Sequence, residues 1–156
     1  MSAVEKKLQE LGITLPTPAV PVANYVPFVR TGKLIVVSGQ LCLGTDGKLN
    51  EAHKGKLGAG VSPESGTAAA RLCGINILAQ LRAAVGDLDK VVRCVRLGGF
   101  VNAGPGFIGL APVMNGASDL MVEVFGDKGR HARSAVGVYK LPLGFAVEVD
   151  AIVEVR

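Results

Sequence analysis

The chain has 156 residues, of which 49% are hydrophobic, 19% charged and only 4% aromatic, and its net charge is +4. This length suits a single globular domain, and no run of Lys and Arg exceeds Lys6-Lys7, which disfavours a nucleic-acid-binding arm. No uninterrupted apolar stretch is long enough to predict a membrane span or a signal peptide.

Three cysteines, Cys42, Cys73 and Cys94, are widely spaced and lie in apolar surroundings. No CxxC pair or Cys/His cluster accompanies them, so the sequence indicates neither a disulfide framework nor a metal site. We therefore expect reduced, mostly buried thiols in a cytoplasmic protein.

Residues 1–23 predict a short helix followed by a proline-rich linker. Ser2 and Glu5 form a capping pattern, Gly12 is a helix terminator, and three prolines follow between positions 16 and 21. Residues 24–156 form the predicted domain, with the N-terminal helix as an addition on its outside.

The domain begins with a predicted hairpin, whose strands at 25–29 and 34–40 flank the turn Thr31-Gly32. A third short strand or loop runs through Gly60. The clearest helix spans 62–85, since Ser62 is a good N-cap, Pro63 suits the first helical position and Gly86 ends the pattern. Its polar residues, including Asn76 and Gln80, interrupt the apolar stripe.

The remaining elements complete the order βββαβαββ. They are a strand at 91–101, a helix at 115–125 and strands at 132–141 and 145–155. This order predicts an α+β fold with helices on one face of a mixed sheet. The other face must then be polar or covered by partner subunits.

Three segments resemble the YjgF/RidA family: residues 25–40, the helix after Ser62, and residues 132–155 (ARSAVGVYKLPLGFAVEVDAIVEV). The last contains an A-R-S start, an L-P turn and an alternating E-x-[DE]-A-I strand. The resemblance covers most of residues 24–156. It implies a chorismate-mutase-like homotrimer with a central barrel and three clefts between subunits, and hydrolysis of 2-aminoacrylate-type enamines and imines to 2-keto acid and ammonia, without metal or cofactor.

Arg133 and Glu148 are the predicted catalytic residues. Arg133 matches the substrate-binding arginine of the family, and its planar guanidinium can hold a carboxylate through two hydrogen bonds. Glu148 matches the family glutamate that handles water or a proton. Read without the resemblance, Arg133 is a solvated residue at a strand edge, and Glu148 is a polar position on an alternating strand beside its structural neighbour Asp150.

Four further positions match substrate-binding positions of the family. Tyr25 either lines the cleft or packs in an ordinary strand. Ser38 and Gly39 belong to an S-G-Q turn, whose small residues let the backbone approach a ligand. Asn115 matches a family asparagine, or it is simply a helix N-cap.

The chain also departs from the family pattern. Ala135 and Gly137 stand where many active members have Cys and Glu, and the segment from 102 to 115 is longer and rich in Gly and Pro. As that segment would border the cleft, the preferred substrate is left open. The chain therefore resembles a divergent branch of the family.

Three functions are compatible with the sequence. An enamine or imine hydrolase comes first, and a non-catalytic carboxylate-binding or regulatory protein is the alternative. Endoribonuclease activity ranks last, because two His, two Tyr and no basic cluster make a poor RNA-cleaving groove.

Overall fold

The computed structural model describes all 156 residues. Its helices and strands are α1 (Ala3–Glu10), β1 (Phe28–Thr31), β2 (Leu34–Leu41), β3 (Lys56–Leu57), β4 (Gly60–Val61), α2 (Pro63–Val85), β5 (Val91–Asn102), α3 (Leu110–Phe125), β6 (Ala132–Val138) and β7 (Val147–Val155).

Five strands form one sheet in the order β1-β2-β7-β5-β6, in which β5 and β6 are parallel and the other neighbours are antiparallel. Both α2 and α3 pack on the same face of this sheet. The α+β prediction with helices on one face of a mixed sheet is confirmed.

The predicted short strand or loop before Gly60 contains two strands of two residues each, β3 and β4. They pair with each other in a separate two-stranded sheet, and Leu57 of β3 also forms an isolated bridge with Ala103. Gly55, Gly58 and Gly60 around them all have φ between +77° and +113°. Glycine adopts this conformation readily, and it repeatedly interrupts an extended chain, so these two-residue strands stay outside the main sheet.

Helix α2 has the predicted ends. The Ser62 hydroxyl accepts a hydrogen bond from the Ser65 amide, Pro63 occupies the first turn, and Gly86 follows the last residue with φ +79°. Because these signals are local in sequence, both boundaries could be read within one residue.

Two polar side chains of α2 are buried rather than solvated. The Asn76 amide donates to the carbonyl oxygens of Leu41 and Leu43, at 3.2 and 2.9 Å. The Gln80 amide donates to the Ala19 carbonyl at 2.8 Å. Both were predicted as polar positions that interrupt the apolar stripe, whereas their bonds attach the end of β2 and the proline-rich segment to the helix.

Helix α3 begins at Leu110, five residues before the predicted start. Gly109 precedes it and contributes no side-chain cap, and Pro112 lies in the first turn, where its missing N–H leaves no bond unmade. The preceding loop therefore comprises only residues 103–109. The absence of a capping side chain explains why the start was misplaced.

Helix α1 is held by groups far away in sequence. The Asp89 carboxylate accepts from the amides of Ala3 and Val4, both at 2.9 Å, and these bonds, that of Val4 first, hold the pKa of Asp89 below its usual value. Leu8 and Leu15 are buried in the main core. The N-terminal segment thus packs onto the domain through apolar and polar contacts.

The two faces of the sheet differ along β7. Its inward side chains are at most 2% exposed, and they are Val147, Val149, Ala151, Val153 and Val155. The alternate residues from Glu148 to Glu154 are only half-buried and point to the face without helices, called the open face below. Leu34, Val36 and Val136 are exposed there, 38%, 42% and 45% respectively.

All three cysteines are buried as free thiols, as predicted. None of the three helices is both long and apolar enough to span a bilayer.

Candidate functional site

Arg133 lies near the start of the edge strand β6 and points toward α3. Its register partner on β5 is Leu97, which is fully buried beneath the helices. The guanidinium Nη1 donates to Asn115 Oδ1 at 2.9 Å and to Ser118 Oγ at 3.1 Å, while Nη2 donates to the Ala111 carbonyl at 3.4 Å. The strand edge and the first turns of α3 thus hold the guanidinium between them.

These bonds use three of the five guanidinium donors. The Nε–H and one Nη2–H make no hydrogen bond within the chain. Nε and Nη2 form one edge of the planar fork, and donors along such an edge match the two oxygens of a carboxylate. The geometry of Arg133 is therefore suited to binding a small carboxylate.

Asn115 is not a helix N-cap, because α3 begins five residues earlier. Its side chain reaches across to β6 and accepts from Arg133. Of the two interpretations that the sequence left open, a helix N-cap and a substrate-binding position, the N-cap is wrong. The Asn115 side chain instead contacts the predicted substrate-binding arginine.

Sequence reasoning did not assign Ser118 and His131 to the site. Ser118 Oγ lies 2.8 Å from His131 Nε2, and His131 Nδ1 lies 2.6 Å from the Gly129 carbonyl oxygen. The spacing that could have found Ser118 is its place three residues after Asn115 on one helix face. His131 lies two residues before Arg133 and immediately precedes β6. Arg133, Asn115, Ser118 and His131 are called the arginine group below.

Glu148 lies on the open face at the centre of the sheet, with Leu41 of β2 and Phe100 of β5 as register partners. Its carboxylate occupies the space above Gly39, where an added Cβ would lie 2.9 Å from the Glu148 carboxyl carbon. Burial, and secondly the charge of Asp150, raise the pKa of Glu148. Glycine at position 39 therefore makes room for a carboxyl group that holds its proton more readily than an exposed one.

Asp150 lies beside Glu148 on the same face. Its Oδ1 is 3.7 Å from Arg96 Nη1, and both side chains are about 40% exposed. Burial raises the pKa of Asp150, and Arg96 partly opposes that change. Since Arg96 pairs with Asp150, Glu148 has no cation of its own within the chain.

Ser38 and Gly39 lie inside β2, at an irregularity in its pairing with β7 between Val37 and Gln40, rather than in a turn. The Ser38 hydroxyl donates to the Val26 carbonyl at 2.7 Å. Tyr25 is 60% exposed and precedes β1, so it is not a strand residue. Tyr25, Ser38 and Gly39 line one small surface cavity, and with Glu148 they are called the glutamate group below.

The predicted site residues thus form two groups that are not in contact with each other within a single chain. Strand β5 lies between the strands of Arg133 and Glu148. Gly99 faces Met114 of α3, whereas its neighbour Gly98 faces the Asp150 carboxylate, so successive β5 residues point to opposite sides. By register, Arg133 belongs to the helix side and Glu148 to the open face. No three His, Cys, Asp or Glu side chains are close enough together to hold a metal ion.

Comparison with known proteins identifies the family. A family model described as "YjgF/chorismate_mutase-like, putative endoribonuclease" matches residues 5–154. The chain belongs to the YjgF/RidA family. The match extends to within two residues of the C-terminus and begins inside α1, so it includes both groups of site residues.

Relatives that share almost the whole chain come from several organisms. Protein TCP17 of Trypanosoma cruzi is 50% identical over 98% of this chain and 94% of its own length. The crystal structure of Atu1372 from Agrobacterium tumefaciens is 48% identical with a TM-score of 0.91, over 98% of this chain and 92% of that one. A Shewanella oneidensis protein described as a "putative endoribonuclease" is 34% identical with a TM-score of 0.94, over 99% and 100%.

RidA from a Psychrobacter species is more distant. It is 26% identical, covers 91% of this chain and 96% of its own, and has a TM-score of 0.61. The lower structural agreement with RidA than with Atu1372 is consistent with a separate branch of the YjgF/RidA family.

Proposed function

We propose that this protein hydrolyses small enamines and imines that carry a carboxylate, of the 2-aminoacrylate type, to a 2-keto acid and ammonia. The observation that supports this most directly is the guanidinium of Arg133, which keeps its Nε–H and one Nη2–H unbonded while its other donors are bound to α3. Kinship with RidA-named proteins points in the same direction.

The reaction needs orientation and proton transfers. The enamine first takes a proton on its methylene carbon and becomes an imine. Water then adds to the C=N carbon and gives up a proton to the nitrogen. The protonated nitrogen finally leaves as ammonia while the C=O bond of the 2-keto acid forms. Arg133 would hold the substrate carboxylate and fix the position of the C=N carbon. Such positioning is worth several kcal/mol, on the order of what a reaction that already proceeds in water requires.

Glu148 would handle the protons. Because burial and Asp150 raise its pKa, the carboxyl group can both accept a proton from the attacking water and return one to the leaving nitrogen closer to neutral pH. The cavity lined by Tyr25, Ser38 and Gly39 would hold the small substrate side chain.

Assembly would bring the two groups together. We infer a homotrimer in which the arginine group of one protomer faces the glutamate group of the next, with the open faces lining a central barrel. The apolar side chains of Leu34, Val36 and Val136 on the open face favour burial by other copies. Two different patches on one chain that meet each other generate a closed ring, as a three-fold axis requires.

The activity is tested by generating 2-aminoacrylate and 2-iminobutanoate in situ and following imine disappearance. Arg133→Ala is run beside the wild type, with Arg71→Ala as a matched control, since Arg71 forms a half-exposed ion pair with Glu123 on the outer helices. Acceleration by wild type and Arg71→Ala, but not by Arg133→Ala, supports the proposal. No acceleration by the wild type with either imine contradicts it.

Carboxylate binding without turnover is the second candidate. It is favoured by the completeness of the arginine group within one chain while Glu148 is remote from it. Saturable binding of 2-oxobutanoate together with unaccelerated imine loss would favour this candidate. RNA cleavage, suggested by the family description, is unrelated to this site if Arg133→Ala cleaves RNA at the wild-type rate.

A further inference from the structure

The arginine group contains a directed chain of hydrogen bonds. The Gly129 carbonyl oxygen can only accept, so His131 Nδ1 must donate to it across 2.6 Å. In the neutral ring Nε2 is then an acceptor, and the Ser118 hydroxyl donates to it across 2.8 Å. Ser118 Oγ keeps its lone pairs for the Nη1 of Arg133, at 3.1 Å.

We propose that Ser118 and His131 are positioning residues for Arg133: His131 orients the Ser118 hydroxyl, and the oriented oxygen holds the guanidinium so that its side edge faces the substrate carboxylate. This inference rests on the proposed role of Arg133 in carboxylate binding. Neither residue is required to touch the substrate.

The helix makes this arrangement necessary. A serine inside an α-helix commonly donates its hydroxyl to the carbonyl three or four residues earlier, and its lone pairs then have no fixed direction toward a neighbouring strand. His131 Nε2 offers another acceptor, 2.8 Å from Ser118 Oγ. The hydroxyl proton is drawn away from the helix backbone, and an oxygen lone pair is presented to Arg133.

Asn115 alone is insufficient to fix the guanidinium. Without Ser118, the guanidinium would keep only the Nη1 bond to Asn115 Oδ1 and the longer Nη2 bond of 3.4 Å to the Ala111 carbonyl, whereas the second Nη1 bond to Ser118 restrains its plane more tightly. A planar fork binds a carboxylate through both oxygens only when its plane is set. Removing Ser118 or His131 should therefore weaken carboxylate binding while the positive charge remains.

The binding test uses 2-oxobutanoate as the probe, measured by calorimetry on the intact protein. Ser118→Ala should bind it about 5- to 10-fold more weakly, as expected when one hydrogen bond of ordinary strength that positions Arg133 is lost. Ser118→Thr, which keeps a hydroxyl, should stay within about twofold of wild type. Ser65→Ala is the matched control, because Ser65 lies on α2 and its hydroxyl bonds to nothing in this site. Equal affinity of wild type and Ser118→Ala would overturn the inference.

In turnover, the same variants should raise KM more than they lower kcat, because the lost contact acts on carboxylate binding. His131→Gln should behave like Ser118→Ala, and in the Ser118→Ala background it should add no further loss, since the two act in series. Additive losses in the double variant would show that His131 does not act through Ser118.

A readout without substrate separates this inference from the proposed function. Long-range ¹H–¹⁵N correlation should find the His131 proton on Nδ1 in wild type. The ¹⁵N relaxation of the Arg133 Nε–H should show greater motion in Ser118→Ala than in Ser65→Ala. If the wild type binds no carboxylate, the proposed function fails, but these spectra still decide the positioning chain. A proton on Nε2, or unchanged Arg133 motion, would overturn it.

Discussion

The arginine group and the glutamate group contrast in how much of each is complete within one chain. The Arg133 guanidinium makes three hydrogen bonds to α3, so its orientation is set before any ligand arrives. Glu148 has space made by Gly39 and a like-charged neighbour in Asp150, but no cation paired with it. The difference teaches that the orientation of Arg133 is set within the protomer, whereas the surroundings of Glu148 depend on what, if anything, covers the open face.

Substitution of Arg133 should give the largest change in activity. If Arg133 binds the substrate carboxylate as proposed, Arg133→Ala removes two charge-assisted hydrogen bonds to it, and we expect kcat/KM for imine hydrolysis to fall about 100- to 1,000-fold. Arg133→Lys keeps the charge but not the planar fork, and we expect it to recover less than a tenth of the wild-type value. Steady-state kinetics measure both, and full activity in the lysine variant would show that charge alone suffices.

Breaking the glutamate group should lower kcat with little change in KM. Glu148→Gln keeps the size of the side chain but cannot take up a proton, and general acid–base catalysis is worth about 100-fold or more. A KM increase with normal kcat would instead assign Glu148 to substrate binding.

Mixing the two inactive variants sharpens the comparison. If Arg133 and Glu148 act across a subunit boundary, co-refolded Arg133→Ala and Glu148→Gln chains at equal ratio should recover about a quarter of wild-type activity, because about one interface in four then has both intact groups. Mass measurement of the mixture checks that mixed assemblies form. No recovery in such assemblies would place both groups in one protomer or exclude the shared cleft.

A smaller effect is expected from filling the space that Gly39 leaves. The Cβ of Gly39→Ala would overlap the end of the flexible Glu148 side chain, which must move aside, so we expect the free energy of unfolding to fall by about 1 kcal/mol or less. In a Glu148→Ala background the same substitution should lower the free energy of unfolding much less, because the carboxyl group that the new Cβ would overlap is absent. Denaturant unfolding of the four chains measures the difference, and equal costs in both backgrounds would contradict the assigned contact.

The smallest effect concerns pH. The folded-state pKa of Glu148 is raised, so the folded chain binds more protons than the unfolded chain between the unfolded and the folded pKa. Ionised Glu148 therefore destabilises the fold above that range, and Glu148→Gln should raise the unfolding free energy at pH 7. The gain should vanish below the ordinary glutamate pKa of about 4.3. Thermal unfolding across pH checks this, and a gain that is independent of pH would assign it to the shape of the amide.

The elements that could be predicted from sequence have short-range causes. The ends of α2 follow from Ser62, Pro63 and Gly86, each of which acts within one turn. The start of α3 was missed because Gly109 carries no capping side chain. The burial of Asn76 and Gln80 was not predicted, because the polarity of a side chain does not show that it will donate to a backbone carbonyl of a segment distant in sequence.

The candidate site was predicted residue by residue but not as an arrangement. Arg133 and Glu148 were named through motifs in contiguous segments, whereas Ser118 was not named and His131 was not assigned to the site, since their contacts join α3 to the start of β6 and the residue before it. Asn115 and Ser118 share a helix face by spacing alone, but only docking of α3 on the sheet gives that face a partner.

By itself, the sequence determined the family, the helix caps, the two-residue alternation of β7 and the identity of the chemically capable side chains. Only the tertiary structure decided that β5 separates the arginine from the glutamate and that they occupy opposite sides of the sheet. The physical reason is that local propensity and periodicity act within a few residues. Strand order and register depend on hydrogen bonds between strands distant in the chain, and a shift of one residue would exchange the two faces.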